Sequence, residues 1–168
     1  DGILMNNDMD DFSSPDRSNQ FGYVPSHPNF IVPGKRPLSS MSPIMVENRH
    51  TGALELIVGS SGGSRIITAN ILTTYAYLSH HGQVSMDDVI ARPRWHDQLL
   101  PPVTVFEYPG AQTPGFDNAT VRALTAKGHR AAYTAPGLSN AQAIQHTHAG
   151  SWHAASERRQ YEARGAAI

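Results

Sequence analysis

Ala53-Leu54-Glu55-Leu56-Ile57-Val58-Gly59-Ser60-Ser61-Gly62-Gly63-Ser64-Arg65-Ile66-Ile67 is the stretch from which the rest of the chain can be read. Its first six residues are apolar and β-prone apart from Glu55. Its centre is all glycine and serine. Beyond the centre, Ile67, Ile71, Thr74 and Leu78 recur at helical spacing. The pattern is a strand, a tight turn and a helix. Ile66, Ala69 and Tyr77 widen the apolar face, so the helix expected over residues 64–80 is predicted to be well buried. Gly82 lies just beyond its end.

Working outward, residues 44–47 and 53–58 flank a turn at His50-Thr51-Gly52 and read as a hairpin. Six of the twelve prolines fall from Pro15 to Pro43, and the next is Pro93. Residues 15–43 therefore read as a long connection with several turns. Phe12, Phe21, Tyr23, Phe30 and Leu38 make it too apolar for a floppy linker. Residues 2–5 are a candidate strand. On the C-terminal side, Ser85 and Asp88 resemble a capping box for a short helix that ends before Pro93. Residues 103–108 alternate as a strand does. Asp117 or Asn118 could cap a helix through Lys127, closed by Gly128. Residues 130–134, 141–147 and 152–156 read as strands, the last two paired across Ala149-Gly150. A loose tail is expected over residues 159–168. Hairpins mixed with helices point to an α+β layered domain.

The 168 residues carry 39% hydrophobic and 16% charged side chains, with a formal net charge of −1. This length can bury a real core. The charge content lies well below the roughly 25% of an average soluble protein, which fits a surface partly covered by a partner. With 13 basic and 14 acidic residues there is no basic footprint for nucleic acid. There is no run of about 18 apolar residues to span a membrane, and no signal peptide. The absence of cysteine excludes disulfides, thiol catalysis and thiolate metal sites within the chain.

Three loops carry candidate chemistry. Gly59-Ser60-Ser61-Gly62-Gly63 matches the G-x-S-x-G nucleophile elbow, with Ser61 as nucleophile and Asp97 and His146 as acid and base. The same glycines read equally as a backbone cradle for an anion or oxyanion, without serine chemistry. Asn6-Asn7-Asp8-Met9-Asp10-Asp11-Phe12 places three carboxylates in four residues. They could bind a cation or a ligand ammonium, or simply form a turn with side-chain hydrogen bonds; the EF-hand spacing fails. Pro33-Gly34-Lys35-Arg36-Pro37-Leu38-Ser39-Ser40-Met41-Ser42-Pro43 sets a basic pair before three hydroxyls, which could hold a carboxylate or belong to an ordinary loop. His80-His81 and His146-x-His148 lack a third ligand at metal-site spacing, so no metal is expected. Asn118-Ala119-Thr120 is an N-glycosylation sequon.

Taken together, the loops resemble the gamma-glutamyltranspeptidase family. Asn6-Asn7-x-Met9-Asp10-Asp11-Phe12-Ser13, the Pro33 to Pro43 block and Gly59-x-x-Gly62-Gly63-Ser64-Arg65-Ile66-Ile67 stand in the family's order and spacing. Arg92-Pro93-Arg94-Trp95-His96-x-Gln98 is also similar. The resemblance implies an N-terminal-nucleophile hydrolase fold, a four-layer αββα sandwich. Residues 1–158 would be the C-terminal part of its small subunit, completed by an upstream segment and by the large subunit of the same precursor, which cleaves itself. A small-subunit N-terminal Thr would attack the gamma-glutamyl amide of glutathione or another gamma-glutamyl compound, and water or an acceptor amino acid or peptide would resolve the acyl-enzyme. No cofactor is implied. Carried over, Gly62 and Gly63 resemble the oxyanion-hole donors, Asp8 and Asp11 the acids for the glutamyl α-ammonium, and Ser39 and Ser40 the hydroxyls for its α-carboxylate. The chain departs from the family at Asp8, where Glu or Gln is usual, and at Ser61, where Pro or Ala is usual. No Thr stands in the nucleophile's context, so the nucleophile is expected upstream of Asp1 and this chain alone is expected to be inactive. An extracellular, membrane-anchored or lumenal location follows from the family, through a targeting segment outside this chain. Two alternatives stay open here: a serine hydrolase using Ser61, and a non-catalytic substrate-binding or interaction module.

Overall fold

A computed structural model describes every residue except Asp1, His81, Gln112, His148, Glu162, Ala167 and Ile168. The chain divides into two compact units, Asp1–Ser40 and Met41–Ile168.

The first unit is built from turns. Residues 2–5 form no strand and are exposed, contrary to the sequence expectation. One apolar run with no pairing partner has nothing to hold it extended. Short 3-10 turns cover Asp8–Asp11 and His27–Asn29. Phe12 is buried, whereas Leu38 is 75% exposed.

The second unit holds the regular structure. Strands β1 (Ile44–Glu47), β2 (Leu54–Ser61), β6 (Asn140–His146) and β7 (Trp152–Ala155) form one antiparallel sheet in the order β1-β2-β6-β7. Strands β3 (Trp95–His96), β4 (Thr104–Glu107) and β5 (Ala131–Thr134) form a second sheet, with β4 and β5 parallel. Helix α3 (Asn118–Ala126) joins β4 to β5. The Asp117 carboxylate caps it, accepting from the Ala119 and Thr120 N–H groups at 3.0 Å. Helix α2 (Met86–Ala91) forms without the capping box expected of Ser85, whose side chain makes no cap hydrogen bond. Burial of Met86, Val89 and Ile90 holds it instead.

Helix α1 (Arg65–Ser79) and α2 pack on one face of the four-stranded sheet. Leu56 and Val58 of β2, Ala143 of β6 and Ala155 of β7 meet Ala76, Tyr77, Met86, Val89 and Ile90 there. The buried side of α1 is small and partly polar: Ala69, Asn70, Thr73, Ala76 and Tyr77. The predicted burial of Ile67, Ile71 and Leu78 is therefore corrected: they are 46%, 54% and 49% exposed. Small residues let the helix axis approach the sheet closely, and the bulky stripe turns outward. The other sheet face carries Met45, Ile57, Ile144 and Ala154 in register across four strands. Met45 is 67% and Ile144 37% exposed.

The expected loose tail begins too early. Arg159 is 1% exposed at its side chain and paired with Glu107 and Glu157. A guanidinium with all its hydrogen bonds made inside the fold belongs to the core, whatever its distance from the chain end.

Candidate active site

Strand β2 runs out at Ser61, and the chain reverses through Gly62 and Gly63 into α1. Both glycines lie at positive φ, +129° and +61°. A Cβ at Gly62 would fall 2.5 Å from the Leu138 carbonyl oxygen and 2.9 Å from the Ser139 Cα. Only glycine fits this turn, for its backbone angles and for its space. The Gly62 and Gly63 carbonyls accept from the Arg65 and Ile66 N–H groups at 3.2 and 3.1 Å, which starts the helix. Among the described residues the Gly62 N–H has no acceptor. The turn thus presents a backbone donor at the positive end of α1, where negative charge is favoured.

Several buried side chains hold this turn. Asn70 of α1, 1% exposed, donates to the Ser42 carbonyl at 2.6 Å and accepts from Ser60 Oγ at 2.5 Å. Thr68 Oγ1 lies 2.8 Å from His96 Nδ1, and His96 Nε2 lies 2.8 Å from Gln98 Oε1. Burial pushes the His96 imidazole below the ordinary histidine range, which keeps it neutral at neutral pH.

Behind Leu138 and Ser139 runs a ladder of alternating charges. Arg94 donates to the Ser139 carbonyl at 2.8 Å and to Glu157 at 2.7 Å. Glu157 also accepts from Arg159 at 2.8 Å and from the Ala141 N–H at 2.9 Å. Arg159 grips Glu107 bidentately at 2.7 and 3.1 Å, and Glu107 accepts the Arg94 N–H at 2.8 Å. Burial alone would raise the Glu157 carboxyl, but Arg94, Arg159 and the Ala141 N–H more than reverse this and hold it below the usual range. Sequence reading assigned none of these roles, nor that of Asn70. The one available signal was Glu107, a lone acid ending an apolar strand.

In the first unit, Asp8 and Asp11 sit on the 3-10 turn and are exposed. The Asp8 N–H donates to Asn6 Oδ1 at 3.1 Å, as in an ordinary Asx turn. Asn29, missed from sequence, joins this turn to the serine loop. Its amide donates to the Asp11 carbonyl at 2.8 Å, and its Oδ1 accepts the Leu38 N–H at 2.9 Å, next to Ser39. Lys35 donates to the Phe30 carbonyl at 3.1 Å and to that of Pro28, closing the loop from below. Asn29→Ala is expected to raise KM for a gamma-glutamyl substrate about tenfold while kcat changes less, since each lost hydrogen bond is worth roughly 1 kcal/mol. Steady-state kinetics on the complete protein decides this, and an unchanged KM would refute the role.

The serine-elbow arrangement does not form. Ser61 pairs with Asn140, whereas Leu56 pairs with Gln145, so His146 lies at the far end of the sheet. Six residues of strand separate them, roughly 20 Å. Asp97 is committed to Thr104 Oγ1 at 2.5 Å and to the Leu99 N–H at 3.0 Å, and these bonds hold its carboxyl below the usual range. Among the described residues Leu99 is the sole non-glycine residue at positive φ, so Ser61 lacks a positive-φ elbow's backbone strain as well. His81 and His148 lie outside the described residues. Among the described residues no group of three potential ligands could hold a metal ion, and no helix is long and apolar enough to cross a membrane.

Two sheets with a glycine turn that offers a backbone donor at a helix start define the class: an α/β acyl-transfer scaffold of the N-terminal-nucleophile hydrolase type. The gamma-glutamyltranspeptidase family model matches residues 1–167, and the chain belongs to that family. A glutathione hydrolase proenzyme from Arthroderma benhamiae is 43% identical over 128 residues, covering 76% of this chain and 20% of that protein. A gamma-glutamyltranspeptidase structure from Helicobacter pylori superposes with a TM-score of 0.80 at 32% identity, covering 95% of this chain and 82% of that one. A Pseudomonas nitroreducens gamma-glutamyltranspeptidase complexed with L-DON gives 0.80 at 33% identity, covering 99% and 83%. The chain spans about a fifth to a quarter of the length of its first full-length relatives, 20% and 23%.

Proposed function

We propose that this chain is the oxyanion-hole and glutamate-recognition part of a protein that hydrolyses or transfers gamma-glutamyl groups, as its glutathione hydrolase relatives are named for doing. The observation that carries the reading is the Gly62-Gly63 turn, wedged against Leu138 and Ser139 and aiming a backbone N–H outward.

A nucleophilic hydroxyl from outside this chain adds to the gamma-carbonyl, and its proton passes to a base. The carbonyl oxygen becomes an oxyanion, which the Gly62 and Gly63 N–H groups stabilise. Collapse expels the amine with a proton and leaves an acyl-enzyme. Water or an acceptor amine then repeats the addition and frees the nucleophile. Asp8 and Asp11 supply acceptors for the substrate α-ammonium, and Ser39 and Ser40 donors for its α-carboxylate. On the same reading, a second sheet from the remainder of the parent covers Met45, Ile57 and Ile144, giving the αββα layering. The parent is processed and secreted, membrane-anchored or lumenal.

The complete, processed protein should release the chromophore from a chromogenic gamma-glutamyl amide, and should not cleave an ordinary ester. Ser61→Ala should keep near-normal turnover, because that hydroxyl stabilises nothing in the reaction. Loss of release in Ser61→Ala, or none in the wild type, would sink the reading.

A further inference from the structure

An open cleft of about 510 Å³ lies at the end of the four-stranded sheet remote from the glycine turn. Glu55, Tyr77, Leu78, Gly82, His146 and Thr147 line it. Glu55 and Ser61 are six residues apart on β2, so the cleft stands roughly 20 Å from the turn. The volume falls within the range of small-molecule sites, about 300–1,000 Å³.

Its chemistry is specific. Tyr77 is 5% exposed, yet its hydroxyl has no hydrogen-bond partner among the described residues. A buried phenol without a partner is costly, and burying this one without purpose would gain nothing over phenylalanine. The hydroxyl sits beside Gly82, where a Cβ would fall 3.0 Å from it. The Gly82 carbonyl is already taken, accepting from Gln145 Nε2 at 3.2 Å. Glu55 gives one carboxylate oxygen to Asn48 Nδ2 at 2.8 Å and keeps the other. No lysine or arginine lines the cleft among the described residues. Burial, and then the Glu55 charge, push the Tyr77 phenol above its ordinary range, so it stays a donor at neutral pH.

We propose that this cleft is a second small-molecule site, for a compound with an aliphatic ammonium group beside a hydroxyl or carboxylate oxygen. The ammonium meets the free oxygen of Glu55, and the ligand oxygen accepts from the Tyr77 hydroxyl. Leu78 covers the short carbon chain between them. The reading does not rest on the proposed catalytic function, and the two can fail separately.

Equilibrium dialysis of radiolabelled ethanolamine against the full-length protein tests it, with labelled glycine distinguishing an amino alcohol from an amino acid. Saturable binding of at least one probe is expected. Glu55→Gln should weaken it about tenfold or more, through loss of a charge-assisted hydrogen bond. Tyr77→Phe should weaken it about three- to tenfold. Gamma-glutamyl release should be unchanged in Glu55→Gln, which separates the cleft from the catalytic turn. Absence of saturable binding, equal binding in Glu55→Gln, or displacement by sodium at matched ionic strength would each overturn the proposal.

Discussion

Gly62→Ala is expected to lower kcat for gamma-glutamyl release by about 10²–10³-fold, the usual cost of losing one oxyanion donor. The cause is geometric. An alanine Cβ would stand 2.5 Å from the Leu138 carbonyl oxygen and 2.9 Å from the Ser139 Cα, both backbone atoms with no flexible end to swing away. The backbone angle of +129° at this position is also one that L residues rarely adopt. The turn must open, and the Gly62 N–H then points away from the developing charge. The strain should cost about 1–3 kcal/mol of stability, read as a lower thermal midpoint. Gly59→Ala is the matched control, since a Cβ there meets nothing within 4 Å. Equal losses in the two variants would refute the assignment of the donor to Gly62. KM should move less than kcat, because the contact forms fully only in the transition state.

Arg159→Met is expected to destabilise the second unit by about 3–5 kcal/mol, the range for removing one partner of a buried ion pair. The guanidinium makes five hydrogen bonds, to Glu107 twice, Glu157, and the Ile90 and Arg92 carbonyls. All five of its N–H donors are used. Methionine fills most of the volume but leaves Glu107 and one oxygen of Glu157 facing no cation. Lysine should rescue little, because one ammonium cannot reproduce the planar fork. Denaturant titration measures the effect, and a loss under about 1 kcal/mol, the scale of an exposed pair, would show that the ladder is not a buried network.

The same ladder sets a pH dependence. Glu157 is held below its ordinary value in the folded state, so its contribution to stability is fully present above the unfolded carboxyl value. It is lost as pH falls through the folded value. Acid should therefore weaken the wild type more steeply than Glu157→Gln, which starts less stable at neutral pH and lacks that titration.

Much of the local structure was legible. Val58 into Gly62-Gly63 into Ile66 declares a strand, a turn and a helix, because period and glycine placement are local physics. The Asp117 cap and the hairpin across Ala149-Gly150 are local in the same sense. Residues 2–5 misled because a β-prone run becomes a strand only when another strand receives its hydrogen bonds. The face of α1 misled for a related reason. Hydrophobic spacing marks which side avoids water, not which element covers it. Here the small side, Ala69, Thr73 and Ala76, lies on the sheet while Ile67 and Ile71 face outward.

The motif blocks likewise carried the family, since Gly62-Gly63, Asp8, Asp11, Ser39 and Ser40 stand in its order along the chain. What the sequence by itself determined was thus the set of elements, the glycine turn and the family. Only the tertiary structure decided how the turn is held. Arg94 and Glu157 are 63 residues apart, and Arg159 and Glu107 are 52. No periodicity links residues so distant. Their pairing follows from burial, because a charge taken out of water must find its opposite within hydrogen-bonding reach, and only the folded chain says which one is there.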